Sequence, residues 1–214
     1  MRQTELTVLY VDDSMVVLDK PAGLLAVPGR GEDKQDCLSA RVQQQYPDAL
    51  IVHRLDMSTS GIMILARGAA IQRRLNDSFA KRLVHKRYVA VVDGHVEATP
   101  ALWNLIDLPI IVDWPNRPLR MIDRALGKPS LTKWRLISHG VDNTSRLELE
   151  PVTGRSHQLR VHLAAIGHAI VGDALYANDR VRAMGGRLML HARSLELDHP
   201  VTGELLKFES AENF

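Results

Sequence analysis

Apolar positions along the chain follow two rhythms. Leu6 to Val11 and Met15 to Leu18 are short runs rich in β-branched side chains, and Asp12-Asp13-Ser14 separates them, the pattern of two strands joined by a tight turn. Similar strand-like runs occupy Ile62–Ala66, Arg87–Asp93, Leu131–Ile137, Arg146–Glu150, Leu188–Leu190, Ser194–Leu197 and Leu205–Phe208. Helical spacing occurs three times. Leu38, Val42 and Tyr46 recur every four residues until Pro47 stops them, and Ile71, Leu75 and Phe79 form a stripe while Arg73, Arg74, Asn76, Asp77 and Lys81 point elsewhere. Over residues 156–166, Leu159, Leu163 and Ile166 share a face, with Ser156 placed to cap the start and Gly167 to end the helix in the left-handed region. Helices fall irregularly among more numerous strands. That order predicts an α+β architecture, a mixed, mostly antiparallel sheet with flanking helices, rather than a doubly wound fold. Asp107 to Pro118, with three prolines, keeps neither rhythm and is expected to leave the sheet as an excursion.

Composition narrows the class. The 214 residues are 45% apolar and 24% charged with a net charge of +2, which fits a globular protein able to bury a core and excludes disordered and histone-like chains. Cys37 is the only cysteine, so no internal disulfide or cysteine-based metal framework exists and a reducing compartment is expected. Asp12, Asp13 and Asp19 leave no apolar leader in the first twenty residues, and no apolar run approaches the roughly 18 residues that span a bilayer. A cytoplasmic protein without a membrane partner is expected.

Two polar clusters could carry chemistry. In His53-Arg54-Leu55-Asp56-Met57-Ser58-Thr59-Ser60-Gly61, Asp56 stands in a turn-prone stretch before an apolar strand, where it can either face a cleft or merely cap the turn. In Thr153 to His162, Arg155 sits where a helix start favours anions, although a structural ion pair accounts for it equally well. A metal is not expected: His157 and His162 are five residues apart, diverge on a helix and have no Glu-x-x-His companion. No phosphate-cradling glycine loop or dinucleotide fingerprint is present, so no nucleotide cofactor is indicated, and there is no Gly-x-Ser-x-Gly elbow.

Taken in order, Lys20-Pro21-Ala22-Gly23, the segment His53 to Gly61, Lys86-Arg87-Tyr88, Gly154-Arg155-Ser156-His157-Gln158-Leu159-Arg160-Val161-His162 and Leu190-His191-Ala192 resemble the RluA family of pseudouridine synthases across nearly the whole chain. The resemblance implies the pseudouridine synthase catalytic fold with a central active-site cleft, no cofactor, and RNA rather than DNA as substrate. It implies three catalytic residues: Asp56 as the carboxylate, Arg155 as the cation that keeps it ionised, and Tyr88 as the pocket tyrosine that stacks on the uracil and can move a proton. Leu190 would close the pocket, and Arg54 would enter the gap left by the flipped base, with His53, Lys86 and Arg117 as further substrate-binding residues.

The stretch Asp107 to Pro118 is similar to the insert of a dual-specificity member that acts on 23S rRNA and on the tRNA anticodon stem-loop. Many relatives carry an S4-type RNA-binding domain ahead of the catalytic one. Here residues 1–214 are expected to form a single catalytic domain without it, a monomer, so RNA capture falls to Arg73-Arg74, Lys81-Arg82, Lys86-Arg87 and Arg117, Arg120 and Arg124. A single-substrate sister synthase, acting on rRNA only or tRNA only, and a non-catalytic RNA-binding protein are the alternatives.

Overall fold

A computed structural model of the chain describes residues 6–99, 101–140 and 142–214. It divides into two compact units, Met1–Lys86 with Ala192–Asn213, and Arg87–His191 with Phe214. Antiparallel strand pairs dominate both, with few helices, in agreement with the α+β expectation.

In the first unit β1 (Thr7–Val11) and β2 (Met15–Lys20) pair antiparallel, Thr7 opposite Asp19. Asp12 shapes the turn as its composition predicts, its Oδ1 accepting the amides of Ser14 at 2.7 Å and Met15 at 2.8 Å. β2 lies along β4 (Ser60–Arg67), which also takes β3 (Ala49–Ile51), and beyond β4 comes β11 (Leu190–Asp198) with β12 (Leu205–Glu209) on it. Helix α1 (Leu38–Gln45) ends just before Pro47, and α2 (Ala69–Ala80) packs its stripe on β4. Met15, Val17, Ile62, Ile64, Leu75, Leu195, Leu197 and Phe208 are the body of this unit's core.

The second unit is an antiparallel sheet in the order β5 (His85–Asp93), β10 (Thr144–Pro151), β9 (Leu131–Gly140), β6 (Asn104–Asp107). Ala90, Val92, Trp134, Leu136, Leu147 and Leu149 from its strands close on Leu159 and Leu163 of α3 (Gln158–Ala165). A short helix, α4 (Asp179–Ala183), is capped by the Asn178 side chain, which accepts the Val181 amide. The proline-rich excursion does leave the sheet. It forms a hairpin of its own, β7 (Ile110–Val112) against β8 (Arg120–Ile122).

Two local expectations are corrected. Ser156 does not cap α3; His157 holds the cap position in the left-handed region at φ 59°, and the Gln158 side chain captures the preceding turn instead. Leu188–Leu190 and Ser194–Leu197 are not two strands: Leu188 and Met189 lie outside any strand, and β11 begins at Leu190 and runs unbroken through buried His191 and Ala192 to Asp198. Gly167 does terminate α3 with φ 86°, its amide bonding the Ala164 carbonyl at 3.0 Å. Among the described residues, no helix is long and apolar enough to cross a membrane.

Candidate active site

Asp56 is half-buried at the head of a turn that the Thr59 amide closes on the Asp56 carbonyl at 3.1 Å. The next carbonyl, that of Met57, is fixed twice: Gly23 donates its amide at 2.8 Å, and the Lys20 Nζ donates at 3.1 Å. Lys20 has no solvent exposure, and its ammonium also donates to the carbonyls of Pro21 and Leu24 at 2.8 Å each. A buried ammonium is tolerated when its three protons are spent on three acceptors. Lys20 therefore ties the Lys-Pro-Ala-Gly loop to the backbone one residue after Asp56. Downstream, Gly61 sits at φ 113°, where a Cβ would come within 2.3 Å of the Ala192 carbonyl oxygen, so only glycine permits this approach of β4 to β11.

On the other side of Asp56, His53 is stacked on Phe79 with centroids 4.7 Å apart, and its Nε2 accepts the Ile64 amide at 3.0 Å. Burial of the ring, helped by the Lys86 charge, pushes its pKa down to about 3. His53 is therefore neutral at physiological pH, with the Nε2 lone pair in use and the ring proton on Nδ1. Lys86 lies 5.8 Å from the centroid of the same Phe79 ring, and desolvation lowers its pKa as well. The first unit thus brings His53, Asp56 and Lys86 onto one framework, while Arg54 projects as an exposed side chain.

In the second unit Tyr88 stands opposite Leu149 on β10 and packs, half-buried, against the core in which Leu190 is 3% exposed. Arg155 is exposed on a turn held by Gln158. Gln158 is buried and uses its whole amide: Oε1 accepts the Thr153 hydroxyl at 2.7 Å and the Arg155 amide at 3.0 Å, while Nε2 donates to the Leu131 carbonyl and the Thr132 hydroxyl, each at 3.0 Å. The network continues through Thr132 to His162, fully buried, whose Nε2 donates to the Leu108 carbonyl at 2.9 Å. Burial lowers the His162 pKa and keeps it a neutral structural link.

A second network ties the β7–β8 hairpin, which carries Arg117, to the segment of Arg155. The Tyr176 hydroxyl accepts the Arg120 amide at 2.9 Å and lies 2.6 Å from His157 Nδ1. Tyr176 is itself fixed by a buried bidentate pair: Arg160 binds Asp173 at 2.8 and 2.6 Å, and Asp173 accepts the amides of Leu175 and Tyr176. Of the basic pairs expected to capture RNA, Arg87 is committed to Glu150, which Lys133 also approaches at 3.3 Å. Among the described residues, no three His, Cys, Asp or Glu side chains group closely enough to hold a metal ion.

Sequence reasoning attached no role to Lys20, Gln158, His162 or Tyr176. Lys20, Gln158 and His162 stand inside the motifs that carry the family resemblance, whereas Tyr176 lies outside them. Their roles depend on partners tens of residues away, Leu131 and Thr132 for Gln158, Leu108 for His162 and Arg120 for Tyr176.

An antiparallel α+β fold that sets a carboxylate on one rigid turn and a guanidinium on another matches known proteins throughout. The sequence profile of the RNA pseudouridylate synthase family covers residues 14–165. A dual-specificity RNA pseudouridine synthase RluA of Escherichia coli is 48% identical over 209 residues, spanning 98% of this chain and 94% of that protein; the Haemophilus influenzae protein of the same description is 41% identical over the same spans. Among solved structures, human RNA pseudouridylate synthase domain containing 1 aligns with a TM-score of 0.81 at 30% identity, covering 98% of this chain and 84% of that one. Human RNA pseudouridylate synthase domain containing 4 aligns at 0.74 and 25%, covering 96% and 88%. The chain belongs to the RNA pseudouridylate synthase family, and it is an isomerase that acts on RNA.

Proposed function

We propose that this protein converts uridine to pseudouridine in two RNA settings, a 23S rRNA hairpin and the tRNA anticodon stem-loop, as a cytoplasmic monomer. One observation carries the dual reading: relatives described as dual-specificity synthases match 209 of the 214 residues, so the β7–β8 excursion cannot fall outside the match.

The reaction breaks the N1–C1′ bond of the nucleotide, turns the uracil over and joins C5 to C1′; N1 gains the proton that C5 loses, and neither water nor a redox partner is consumed. Asp56 is the carboxylate that assists, by adding to the sugar or base or by removing a sugar proton, and every route requires it ionised. Arg155 supplies the fixed guanidinium that keeps a carboxylate ionised once RNA has excluded water. Tyr88 stacks on the uracil, and Leu190 contributes an apolar wall that keeps water from the activated sugar while the base is detached. Extrusion of the base costs a few kcal/mol, less in a loop than in a duplex, and the exposed Arg54 fills the vacated stack. Lys86, Arg117 and the Nδ1–H of neutral His53 add contacts to the RNA.

The test is pseudouridine formation by the purified protein on an isolated anticodon stem-loop and on a short 23S rRNA hairpin sharing its loop sequence. Turnover on both is expected. Reaction of only one hairpin makes the protein a single-substrate synthase, and reaction of neither while intact RNA is modified places recognition beyond the loop.

A further inference from the structure

The turn between β7 and β8 holds an indole out in solvent. Trp114 is 66% exposed, and the Arg117 guanidinium lies over one face of its ring, 3.3 Å from the centroid. The guanidinium covers part of the indole, and two thirds of the residue remains in solvent. An aromatic side chain of this size is usually buried or reserved for a partner.

The turn is also stiff. Asp113 accepts the Asn116 amide at 3.3 Å and its side-chain nitrogen at 3.0 and 3.2 Å, while the Asp113 amide donates to the Leu119 carbonyl at 3.1 Å. At its root, the hairpin is pinned by the Tyr176 hydroxyl on the Arg120 amide and by His162 on the Leu108 carbonyl. A platform fixed in advance loses little entropy when a ring stacks on it.

Charge selects the kind of partner. Between residues 113 and 128 the cations are Arg117, Arg120, Arg124 and Lys128, against two carboxylates. Both carboxylates already accept hydrogen bonds, Asp113 from Asn116 and Asp123 from the amides of Ala125 and Leu126. The surface is therefore cationic around a flat aromatic ring, which suits a polyanion that carries exposed bases.

We infer that Trp114 is a stacking platform for an unpaired base of the substrate RNA, backed by Arg117, whose guanidinium also meets the phosphate of that nucleotide. The inference rests on the proposed hairpin substrates and adds a subsite to them. Stacking of this kind is sequence-tolerant, so one platform serves two RNAs that differ outside a common loop.

The experiment measures steady-state pseudouridine formation on whichever short hairpin the wild-type protein modifies; wild-type turnover tests the substrate reading, and the variants test the platform. Trp114→Ala is expected to raise KM about tenfold or more with kcat within twofold, and Trp114→Tyr to recover most of the loss. Arg117→Ala should lower the slope of log KM against log salt by about one, as for one lost phosphate contact, whereas Trp114→Ala leaves that slope unchanged. A KM for Trp114→Ala within twofold of wild type overturns the inference, as does a fall in kcat at constant KM. Leu126 is 74% exposed on the same segment; an equal rise in KM from Leu126→Ser would mark a general apolar contact, such as a protein partner makes, and would also overturn it.

Discussion

Asp56 is held by its neighbours, since the Lys20 ammonium and the Gly23 amide both grip the Met57 carbonyl beside it. Replacing the carboxylate alone should leave that frame intact. Asp56→Asn is expected to unfold at the wild-type urea midpoint and to form pseudouridine no faster than background, because an amide can neither add to the sugar nor take its proton. Measurable turnover would remove Asp56 from the chemistry. His53 gives a pH signature. Its ordinary pKa of 6.5 in the unfolded chain falls to about 3 when buried, so the unfolded chain binds the proton more readily. The stability gained by keeping His53 neutral is whole above pH 6.5 and is lost as pH falls through the window from 6.5 to 3, at up to about 1.4 kcal/mol per pH unit for one proton. His53→Gln retains an acceptor for the Ile64 amide but cannot titrate, so its urea midpoint should vary less with pH across that window. Some slope persists, since burial of His162 acts in the same sense; a slope equal to wild type would deny His53 this role.

Periodicity reveals an element only when the element is long enough to repeat. The stripe Ile71, Leu75, Phe79 was legible because α2 runs for 12 residues and sinks Leu75 to 1% exposure. β3, β7 and β8 have three residues each and β6 has four, and prolines 109, 115 and 118 punctuate the hairpin, so no repeat announces them. The motif residues of the candidate site were legible as runs along the chain. What holds them was not, because Gln158 finds Leu131 and Thr132 on β9, and Tyr176 finds Arg120 on β8, across separations that spacing does not encode. Gln158→Leu conserves approximate volume and removes all four hydrogen bonds, leaving two donors and two acceptors to find new partners. Stability should fall by about 2 kcal/mol or more, at roughly 1 kcal/mol or more for each buried group left unpaired. Release of the Arg155 turn should lower kcat as well. Urea unfolding together with single-turnover rates separates the two effects; a variant with wild-type stability would show that the turn keeps its shape without this staple.

At the scale of the whole molecule, neither sequence order nor the span of the family profile marks a folding boundary. The profile ends at residue 165, yet the core of the first unit draws Leu195, Leu197 and Phe208 from the far end of the chain, at 2%, 1% and 9% exposure. The same segment bonds back to the β1–β2 hairpin, His199 to Asp12 in its turn at 2.9 Å and Ser210 to Asp19 on β2 at 2.7 Å. A chain stopped after His191 keeps every core residue of the second unit, including Leu188 and Leu190, but takes three large apolar side chains from the first. Losing each such side chain costs about 2–5 kcal/mol, so the total loss rivals the roughly 5–15 kcal/mol that holds a whole domain. The first unit should therefore fail to fold in the shortened chain although most of its residues remain. Hydrogen exchange is expected to show Met15 to Arg67 unprotected in the 1–191 chain and protected in the full one, with protease cleavage concentrated in the same stretch. Protection of β2 and β4 in the shortened chain would mean that residues 1–86 build a sufficient core unaided, and that β11 and β12 serve only to cover its edge.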